Sequence, residues 1–432
     1  MKKVTIGLVG FGNVGAGVIK ILRDRKRFLS DKTGTEVVIK KICDKDITSK
    51  RNVPVDKALL TNNINEILDD PQIDILVELM GGVHPAKEFI TQALLKGKHV
   101  VTANKALLAE CGKELFALAS DRDKSIYFEA SVGAGIPILK SLREGLVANK
   151  FLDIFGIVNG TSNYVLSQMA KDGCDFSVAV KDAQKKGFAE KDPTLDIEGI
   201  DSAHKLVILT YLGFGKLVEM KDLYIEGISR VTLQDVGYAK DLGFEIKLLA
   251  IAKNVSGELD LRVHPTLVPK GHMLASVNGV FNAIYVSSDL AGDLMFYGPG
   301  AGQLAAASAV VSDIIDLAQN MKAGMFRPKL NIVEDTAIHK LRKIDERLGR
   351  YYVRLIVLDE PGVLAKIASV LAKFGISIAS VTQKERIARM GSVPIVMISH
   401  EAREKDLRLA LDAINKLNAV TQKAVAIRIE EL

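Results

Sequence analysis

The chain has 432 residues, which is more than one ordinary domain holds and predicts two or three domains. Its composition, 48% hydrophobic and 25% charged, is that of a globular protein. The formal net charge of +6 comes from 58 basic and 52 acidic residues scattered along the whole chain, so we expect no nucleic-acid partner.

Cysteine usage and the length of apolar runs set two further expectations. Cys43, Cys111 and Cys174 form no C-x-x-C pair, which is typical of a reduced, cytoplasmic protein without a zinc site. No apolar run approaches the ~18 residues that cross a bilayer. The N-terminal MKKVTIGLVGFG is too short and glycine-broken for a signal peptide, so we expect no membrane partner.

The first part of the chain alternates strands with helices. β-Favouring residues from Lys3 to Val9 lead into a glycine turn and a helical pattern that runs through Leu22. Short apolar runs and one further helical pattern follow at residues 37–44, 74–82, 85–97 and 98–105. Because short apolar runs separated by helices are typical of buried parallel strands, we predict an α/β Rossmann domain over residues 1–135.

The pattern changes after about Gly135. SVGAGIPILKSLREGL (131–146) is expected to start a helix, and three later segments read as paired strands, LYIEGISRV, IKLLAIAKN and ELDLRVHPTLVP. Successive strands without helices between them indicate an antiparallel sheet, and so an α+β domain over residues 136–301. A helix of small residues at about 302–320 is expected to return to the first domain.

The C-terminal part contains a linker and a third domain. Residues 321–350 are rich in Lys and Arg and low in periodicity, which predicts a linker. Residues 351–432 follow the order strand, helix, strand, strand, helix, strand, which is the ferredoxin-like arrangement.

A glycine-rich turn directly follows the first strand. Gly10, Gly12 and Gly15 form G-x-G-x-x-G at the head of a helix. The first glycine allows the tight turn, the second lets the backbone approach a pyrophosphate, and the third lets helix and strand pack closely. We therefore predict a dinucleotide site in a turn that also includes Phe11, Asn13 and Val14.

The end of the second strand leaves the choice of dinucleotide open. Asp44 stands where a carboxylate would bind the ribose hydroxyls of NAD. Lys45, Lys50 and Arg51 follow closely and would instead hold the 2′-phosphate of NADP. Both cofactors are therefore considered.

A carboxylate-rich stretch, residues 183–205, joins two helical patterns. Asp201 and Lys205 stand four apart at the start of a helix, so both lie on one face. Glu190 and Asp196 precede them in an irregular segment that directs these carboxylates towards the same helix end. An ordinary surface ion pair is the structural alternative. Carboxylates around one ammonium suit a substrate that carries an amine and a carbonyl or hydroxyl.

This stretch resembles the signature of homoserine dehydrogenases, A-x3-G-F-A-E-x-D-P-x2-D-I-x-G-x-D-x3-K. Four other blocks resemble that family in its order: VTANKALLA (101–109), EASVGAGIP (129–137), VNGTSNYVL (158–166) and YGPGAG (297–302). The resemblance covers residues 1 to about 330, and residues 351–432 resemble an ACT regulatory domain, which bacterial members often carry at this end. The resemblance to homoserine dehydrogenases implies that residues 136–301 form a catalytic, substrate-binding and dimerisation domain.

The resemblance implies reversible, NAD(P)-dependent reduction of L-aspartate 4-semialdehyde to L-homoserine, in threonine, isoleucine and methionine biosynthesis. Lys205 would donate the proton in the reducing direction, and Asp201 would position the reacting oxygen. Lys105 would lie between nicotinamide and substrate, and Glu190 would hold the substrate amino group. The implied substrate site also includes Asp196, Gly160 and Thr161.

The resemblance also implies further cofactor contacts and a cation site. Thr102, Gly300 and Gly302 join the dinucleotide site. Glu129 and the backbone oxygens near it resemble the family's monovalent cation site, usually sodium. The backbone ligands would come from Val132, Ala134 and Ile136. Such hard oxygen ligands give no redox metal chemistry.

The ACT-like segment has two interpretations. A turn before its first helix exposes backbone N–H groups that suit the carboxylate of an amino-acid effector, with threonine the first candidate. Its residues are Asp359, Gly362, Val363 and Leu364. The alternative is a module whose sheet edges pair chains. We expect a homodimer or homotetramer.

Two other functions were weighed against the enzyme. A non-catalytic amino-acid sensor on a nucleotide-binding scaffold would predict damaged active-site lysines or carboxylates, whereas Lys105, Glu190, Asp201 and Lys205 are all present. A phosphorylating aldehyde dehydrogenase needs a nucleophilic thiol, and no local cysteine motif supports one. We also expect no kinase domain ahead of the glycine turn at Gly10.

Overall fold

The computed structural model describes residues 2–323, 338–383 and 391–432. The strands are β1 (Lys2–Val9), β2 (Thr35–Cys43), β3 (Leu60–Thr61), β4 (Ile75–Glu78), β5 (His99–Thr102), β6 (Ile126–Tyr127), β7 (Phe151–Ile157), β8 (Tyr224–Ile225), β9 (Phe244–Val255), β10 (Glu258–Pro269), β11 (Phe281–Ser288), β12 (Gly292–Pro299), β13 (Lys340–Arg342), β14 (Leu348–Leu358), β15 (Ile378–Thr382), β16 (Ser392–Ser399), β17 (Ala402–Arg403) and β18 (Val420–Ile429). The α-helices are α1 (Asn13–Asp24), α2 (Lys26–Thr33), α3 (Asn65–Leu68), α4 (Ala86–Leu95), α5 (Lys105–Asp121), α6 (Ile138–Lys140), α7 (Gly160–Asp172), α8 (Phe176–Lys185), α9 (Thr194–Ile197), α10 (Ile200–Phe214), α11 (Leu233–Asp241), α12 (Gln303–Ala323), α13 (Val363–Lys373) and α14 (Glu404–Ile414).

The described residues fall into two compact units. The first unit takes its residues from the ranges 1–154, 203–222 and 281–336. The second unit takes its residues from the ranges 155–202, 223–280 and 337–432.

The first unit is built on a parallel sheet with the strand order β3-β2-β1-β4-β5-β6. Ile6, Leu8, Ile75 and Val77 are completely buried in it, because parallel strands flanked by helices are covered on both faces. Strand order reverses between β1 and β4, and open α/β sheets bind ligands beyond the carboxyl ends of the strands at such a point. The predicted Rossmann sheet is confirmed.

Helix α12 packs against α1 in the first unit. A Cβ on Gly17 would lie 2.9 Å from the Ala307 Cβ and 2.9 Å from the Gln303 Cγ, so this close approach requires glycine. Both helices contribute to one hydrophobic core with the sheet, through Val18, Ile19, Val310 and Ile314. The antiparallel hairpin of β11 and β12 also belongs to this unit.

The second unit contains strands in the order β9-β10-β18-β14-β16-β15. All neighbours are antiparallel except β10 and β18, which pair in parallel where Thr266 lies opposite Arg428. The C-terminal β-α-β-β-α-β module therefore shares a sheet with the β9–β10 hairpin. Its own core contains Leu355, Ile367, Leu407 and Ile414. The predicted α+β sheet and ferredoxin-like module are confirmed.

The helix expected to start within residues 131–146 begins only at Ile138 and is short. Gly133 and Ala134 adopt left-handed conformations, with φ of +69° and +52°. Pro137, which can begin a helix but not continue one, directly precedes the short α6. A π-helical turn over Ser141–Gly145 follows. The segment is therefore a turn with one short helical stretch.

The strand predicted over residues 223–231 is also shorter, since β8 ends at Ile225. A Cβ on Gly227 would lie 2.5 Å from the Cα of Glu198, so the backbones approach closely there. The Ile228 N–H donates to the Ile197 carbonyl at 2.9 Å. This backbone is bonded to the acidic segment instead of continuing a sheet.

The predicted linker over residues 321–350 overlaps regular elements at both ends. Helix α12 continues to Ala323, and β14 begins at Leu348. Between them, β13 pairs in parallel with β10, with Lys340 opposite Glu258. Residues 324–337 of this linker lie outside the described residues.

Candidate active site

The glycine turn after β1 has the geometry that its sequence predicted. Gly10 has φ +98°, and a Cβ there would lie 2.7 Å from the Leu79 carbonyl carbon and oxygen. A Cβ on Gly15 would lie 2.1 Å from the Gly10 carbonyl oxygen. Both positions require glycine, because a side chain would collide with backbone. The turn leaves Gly12 and Asn13 exposed, as a pyrophosphate-binding turn requires.

Asp44 and Arg51 both contact this turn through Phe11. The two Asp44 carboxylate oxygens accept the backbone N–H groups of Phe11 at 2.6 Å and Asp46 at 2.9 Å. The Arg51 Nε donates to the Phe11 carbonyl at 2.8 Å, and its guanidinium lies 5.6 Å from the centre of the buried Phe11 ring. Lys45 is exposed. Arg51 is thus fixed beside the turn, while both oxygens of Asp44 already accept backbone N–H groups.

The second glycine turn, before α12, lies next to the first. Gly302 has φ +132°, and its carbonyl accepts the Ala306 N–H of the helix at 3.0 Å. Gln303 donates from its side-chain amide to the Asn13 carbonyl at 3.0 Å. At Gly300 a Cβ would meet the buried Asn282 amide at 2.1 Å. The predicted cofactor residues of both turns are therefore brought together within the first unit.

Lys105 is held at the first position of α5. The Asn104 side-chain oxygen caps this helix by accepting the Leu107 N–H at 3.1 Å, and its amide donates to the Gly82 carbonyl at 2.7 Å. The Thr102 hydroxyl is completely buried and donates to the Glu78 carboxylate at 2.6 Å. Thr102 therefore supports the site from beneath through its side chain. Glu78 was not identified from the sequence, because a glutamate at a strand end reads as solvent-exposed.

Asp201 and Lys205 lie one turn apart on α10, as their spacing predicted. They are 6% and 7% exposed, respectively. Burial excludes the alternative of an ordinary solvated ion pair at the surface, since exposed pairs keep their water. Taking an ammonium and a carboxylate out of water is costly, which makes this pair a candidate for a functional site.

The acidic segment of the second unit is organised by Asn159. Its side-chain amide donates to Asp196 at 2.7 Å and to Asp201 at 2.8 Å, while its oxygen caps α7 by accepting the Ser162 N–H at 2.8 Å. Two of the predicted carboxylates are thus brought together. Asn159 was missed in the sequence, although an asparagine immediately before a helix is the usual signal for a cap.

Three other predicted substrate residues lie at or near the same helix end. Gly160 packs so tightly that a Cβ would lie 2.9 Å from the Val280 carbonyl oxygen. The Thr161 hydroxyl donates to the Phe188 carbonyl at 2.7 Å. Glu190 is exposed, two residues beyond Phe188. Its carboxylate takes no part in the hydrogen bonds of the Asn159 side chain to Asp196, Asp201 and Ser162.

Glu129 lies in a turn that offers few side-chain ligands to the predicted cation. Its carboxylate oxygens accept the N–H groups of Leu139 at 2.9 Å and Lys140 at 2.7 Å. Burial raises the pKa of Glu129 to about 6. Within residues 2–323, 338–383 and 391–432, no group of three or more His, Cys, Asp or Glu side chains has a metal-binding arrangement. The buried Asp313 carboxylate accepts the Glu129 N–H at 2.8 Å, so a cation here would depend on these two carboxylates and on backbone carbonyls.

The turn before α13 exposes part of the predicted effector site. Gly362 has φ +86° and precedes the helix, and Leu364 is 40% exposed. Val363 is buried in the module core, while the Asp359 N–H donates to the Gly391 carbonyl at 3.1 Å. The turn thus offers a helix N-terminus flanked by an exposed leucine.

The cysteines provide no activated thiol. Burial raises the pKa of the Cys43 thiol to about 11, and burial also raises the pKa values of Cys111 and Cys174. A nucleophilic cysteine needs the opposite shift. In the described part of the chain, no helix is long and apolar enough to cross a membrane.

The Rossmann sheet, its two adjoining glycine turns and the buried lysine on α10 define the class of protein, a dinucleotide-dependent oxidoreductase. Three family models match the chain. They are "Homoserine dehydrogenase, NAD binding domain" over residues 10–129, "Homoserine dehydrogenase" over 137–315 and "ACT domain" over 351–419. The chain belongs to the homoserine dehydrogenase family.

Individual relatives agree with this membership. The chain is 42% identical over 435 residues to a homoserine dehydrogenase of Neisseria gonorrhoeae, and 100% of each chain is covered. The crystal structure of a homoserine dehydrogenase from Thiobacillus denitrificans superposes with a TM-score of 0.91 at 41% identity, covering 100% of this chain and 99% of that one. A hyperthermophilic archaeal homoserine dehydrogenase in complex with NADPH gives a TM-score of 0.62 at 27% identity, over 73% of this chain and 97% of that one.

Proposed function

We propose that this homoserine dehydrogenase interconverts L-aspartate 4-semialdehyde and L-homoserine, with Lys205 and Asp201 at the reacting oxygen. The observation that carries the assignment is the burial of both side chains one turn apart on α10. The family signature that begins at Ala183 ends on this lysine. The same burial is hard to explain in a sensor that needs no acid or base.

When bound, the nicotinamide would supply a hydride in the reducing direction. The protein residues would stabilise the developing charge and donate the proton. Hydride addition to the aldehyde leaves negative charge on its oxygen. The Lys205 ammonium stabilises that charge and donates the proton, while Asp201 positions the oxygen. Lys105, fixed at the start of α5, adds a second positive charge on the nicotinamide side of the substrate. In the oxidising direction Lys205 takes the proton back.

The two ends of the amino acid require opposite partners. The first backbone N–H groups of α7, at Gly160 and Thr161, lie at the positive end of a 13-residue helix and suit the substrate carboxylate. Glu190 suits the substrate ammonium, and its exposure leaves it accessible to an arriving ligand. The Asn159 amide donates to both Asp196 and Asp201, so it holds these two carboxylates close together. Substrate recognition is thus assigned to the second unit.

NADP is the cofactor that the first unit favours. Both Asp44 oxygens already accept backbone N–H groups, which weakens the case for ribose recognition by that carboxylate. Arg51 is fixed on the glycine turn by its bond to Phe11, and a guanidinium fork matches a phosphate. The archaeal neighbour with bound NADPH supports the same choice.

We assign a monovalent cation, with sodium first, to the turn around Glu129. A carboxylate oxygen has lone pairs left after accepting one N–H, and the turn carbonyls of Val132 and Ala134 supply hard oxygen ligands. The Ile136 carbonyl already accepts the Ile138 N–H at 2.8 Å, so its share in the site is the smallest. Such an ion would hold the turn between β6 and α6 in place.

Regulation is assigned to the ACT domain and self-association to the exposed hairpin of the first unit. The turn before α13 would take the carboxylate of an amino acid, with threonine as the first candidate. On β11 and β12, Phe281 and Tyr297 stack at 5.1 Å although they are 39% and 52% exposed. An exposed aromatic pair on a strand hairpin suits burial against a second copy in a homodimer. The proposed domains are 1–135 with α12, 136–301 and 351–432.

The testing experiment is L-homoserine oxidation, followed by nicotinamide absorbance with NAD and NADP in parallel, with and without threonine, and in sodium or choline buffer. Turnover that is faster with NADP and needs sodium supports the cofactor and cation assignments. Threonine inhibition supports the effector assignment. No turnover from folded protein that binds NADPH would favour the sensor instead.

A further inference from the structure

We propose that Glu78 is a positioning residue that braces the dinucleotide turn with one carboxylate oxygen and the Lys105-bearing turn with the other. The proposal rests on the role proposed for Lys105. Glu78 is the last residue of β4 and is completely buried. It lies at the carboxyl end of the strand next to the point where strand order reverses, which is the cofactor end of the sheet.

The first oxygen supports the glycine turn. Oε1 accepts the Met80 N–H at 2.7 Å. The peptide between Leu79 and Met80 is the surface on which Gly10 rests, since a Gly10 Cβ would lie 2.7 Å from the Leu79 carbonyl and 3.0 Å from the Met80 nitrogen. A shift of this peptide would therefore move Gly10, and with it the site of the pyrophosphate.

The second oxygen supports the lysine. Oε2 accepts the Thr102 hydroxyl at 2.6 Å, and the same hydroxyl oxygen accepts the Asn104 N–H at 3.0 Å. Asn104 in turn caps α5 and bonds to the Gly82 carbonyl, so it sets where Lys105 enters the helix. A continuous chain of hydrogen bonds thus leads from Glu78 to the backbone of Lys105.

A carboxylate suits this position better than an amide. Two acceptor oxygens meet two donors, whereas glutamine has one acceptor and one donor group. The amide oxygen of a glutamine would have to face Met80, because a backbone N–H can only donate. Its NH2 would then face a threonine oxygen that already accepts from Asn104. The carboxylate is retained although burial raises the pKa of Glu78 to about 7, so its charge is costly there.

The test compares Glu78→Gln, Glu78→Ala and Thr102→Val with the wild type, with Ile75→Val as a control. Ile75 is equally buried on the same strand and makes no part of the hydrogen-bond chain. Two quantities are measured: the NADPH dissociation constant by fluorescence and kcat for homoserine oxidation. We expect Glu78→Ala to weaken NADPH binding about 10-fold and to lower kcat on the order of 10²-fold, since small misplacements cost that much.

The other variants separate the two oxygens. Glu78→Gln and Thr102→Val should keep NADPH affinity within about 2-fold and lower kcat about 10-fold, because each breaks only the link to the lysine turn. In a Lys105→Ala background Thr102→Val should cost nothing further in kcat. Ile75→Val should lower the melting temperature and change neither kinetic quantity.

Several outcomes would overturn the proposal. Unchanged kcat and NADPH affinity in Glu78→Ala would do so, as would equal effects of Ile75→Val, or a full additive loss from Thr102→Val on Lys105→Ala. If Glu78→Ala does not fold, the kcat values of Glu78→Gln and Thr102→Val, which are close to the wild type in shape, still test the proposal. Absence of homoserine oxidation in the wild type would instead contradict the proposed function, and the NADPH affinities of Glu78→Ala and Glu78→Gln would still test the brace on the glycine turn.

Discussion

Each unit contains a completely buried carboxylate, Glu78 in the first and Asp235 in the second, and the two have different partners. In the first unit, Glu78 accepts hydrogen bonds from neutral groups, the Met80 N–H and the Thr102 hydroxyl. In the second unit, Arg354 of the ACT domain pairs with the completely buried Asp235 at 2.6 and 3.1 Å. The first arrangement leaves the charge of the carboxylate uncompensated by its hydrogen-bond partners, whereas the second matches charge with charge.

The same pairing recurs where the ACT domain joins the β9–β10 hairpin. Arg428 of β18 bonds to Glu226 at 2.7 Å and to Glu404 at 2.6 Å. Burial pushes the pKa of Glu430 upwards, but Arg262 and Arg347 outweigh it and hold that pKa below its usual value. These pairs fasten β18 beside β10.

The difference distinguishes structural charges from functional ones. In the second unit the paired charges hold segments together, and the arginines hold the pKa of Glu430 below its usual value. A buried carboxylate served only by neutral donors keeps a pKa near neutrality, and such perturbed groups cluster at functional sites. By this criterion the pairs at the junction are structural, whereas Glu78 remains a candidate for the positioning role proposed above.

The largest expected effect is the loss of Lys205. Lys205→Ala should lower turnover on the order of 10³-fold, because it removes both the proton donor and the charge at the oxygen. The matched control is Lys98→Met, which removes a buried lysine that only donates to the Asp70 and Ile73 carbonyls. Steady-state kinetics and NADPH titration measure both variants. Unchanged turnover in Lys205→Ala would remove the lysine from the mechanism.

Asp235→Ala should destabilise the protein by about 3–5 kcal/mol, since it leaves the Arg354 guanidinium buried without its partner. The double variant with Arg354→Met should recover part of this loss, because neither charge then remains, whereas the bonds that Asp235 accepts from Thr232 and Tyr352 stay lost. Urea denaturation of the wild type, both single variants and the double variant measures the coupling. Additive losses would show that the pair does not join the ACT domain to α11.

The buried Glu78 carboxylate should make the stability of the protein depend on pH. Burial raises the Glu78 pKa from 4.5 to about 7, so the native protein keeps a proton that the unfolded chain releases between these values. The contribution of Glu78 to stability is fully present below about pH 4.5 and is lost as the pH rises through about 7, by at most about 1.4 kcal/mol per pH unit. Glu78→Gln should therefore gain stability relative to the wild type between pH 5 and 8 (roughly the window of that shift). A constant difference in melting temperature over this range would contradict the prediction.

The smallest expected effect concerns an arginine at the surface. Arg51→Ala should weaken NADP binding about 10-fold, as expected for one phosphate contact, and leave NAD binding nearly unchanged. Lys50→Ala, at an exposed neighbouring position, should change NADP affinity less. Isothermal titration with both dinucleotides measures the difference. Equal losses for NAD and NADP would place Arg51 on the turn alone, without contact to the 2′-phosphate.

The sequence predicted those features that depend on local patterns. The glycine turn at Gly10 and the alternation of strands and helices follow from periodicity and from steric limits on the backbone. The spacing of Asp201 and Lys205 predicted a shared helix face. Their burial could not be predicted, because it depends on packing from distant segments.

Other features escaped sequence reasoning for physical reasons. Glu78 was not singled out, because its hydrogen-bond partner Thr102 lies 24 residues away in the sequence. The pairing of β10 with β18 joins residues far apart in the chain, which no local pattern encodes. Residues 131–146 were expected to start a helix, and the consecutive left-handed residues at Gly133 and Ala134 delay its start to Ile138.

The most direct test of the account follows the hydride itself. L-Homoserine deuterated at C4 is incubated with the enzyme and NADP, and the mass of the reduced cofactor is measured by mass spectrometry. The account predicts that the deuterium is transferred as deuteride to the nicotinamide ring and that Lys205→Ala transfers it far more slowly. An unlabelled reduced cofactor, or transfer at the same rate in Lys205→Ala, would contradict it.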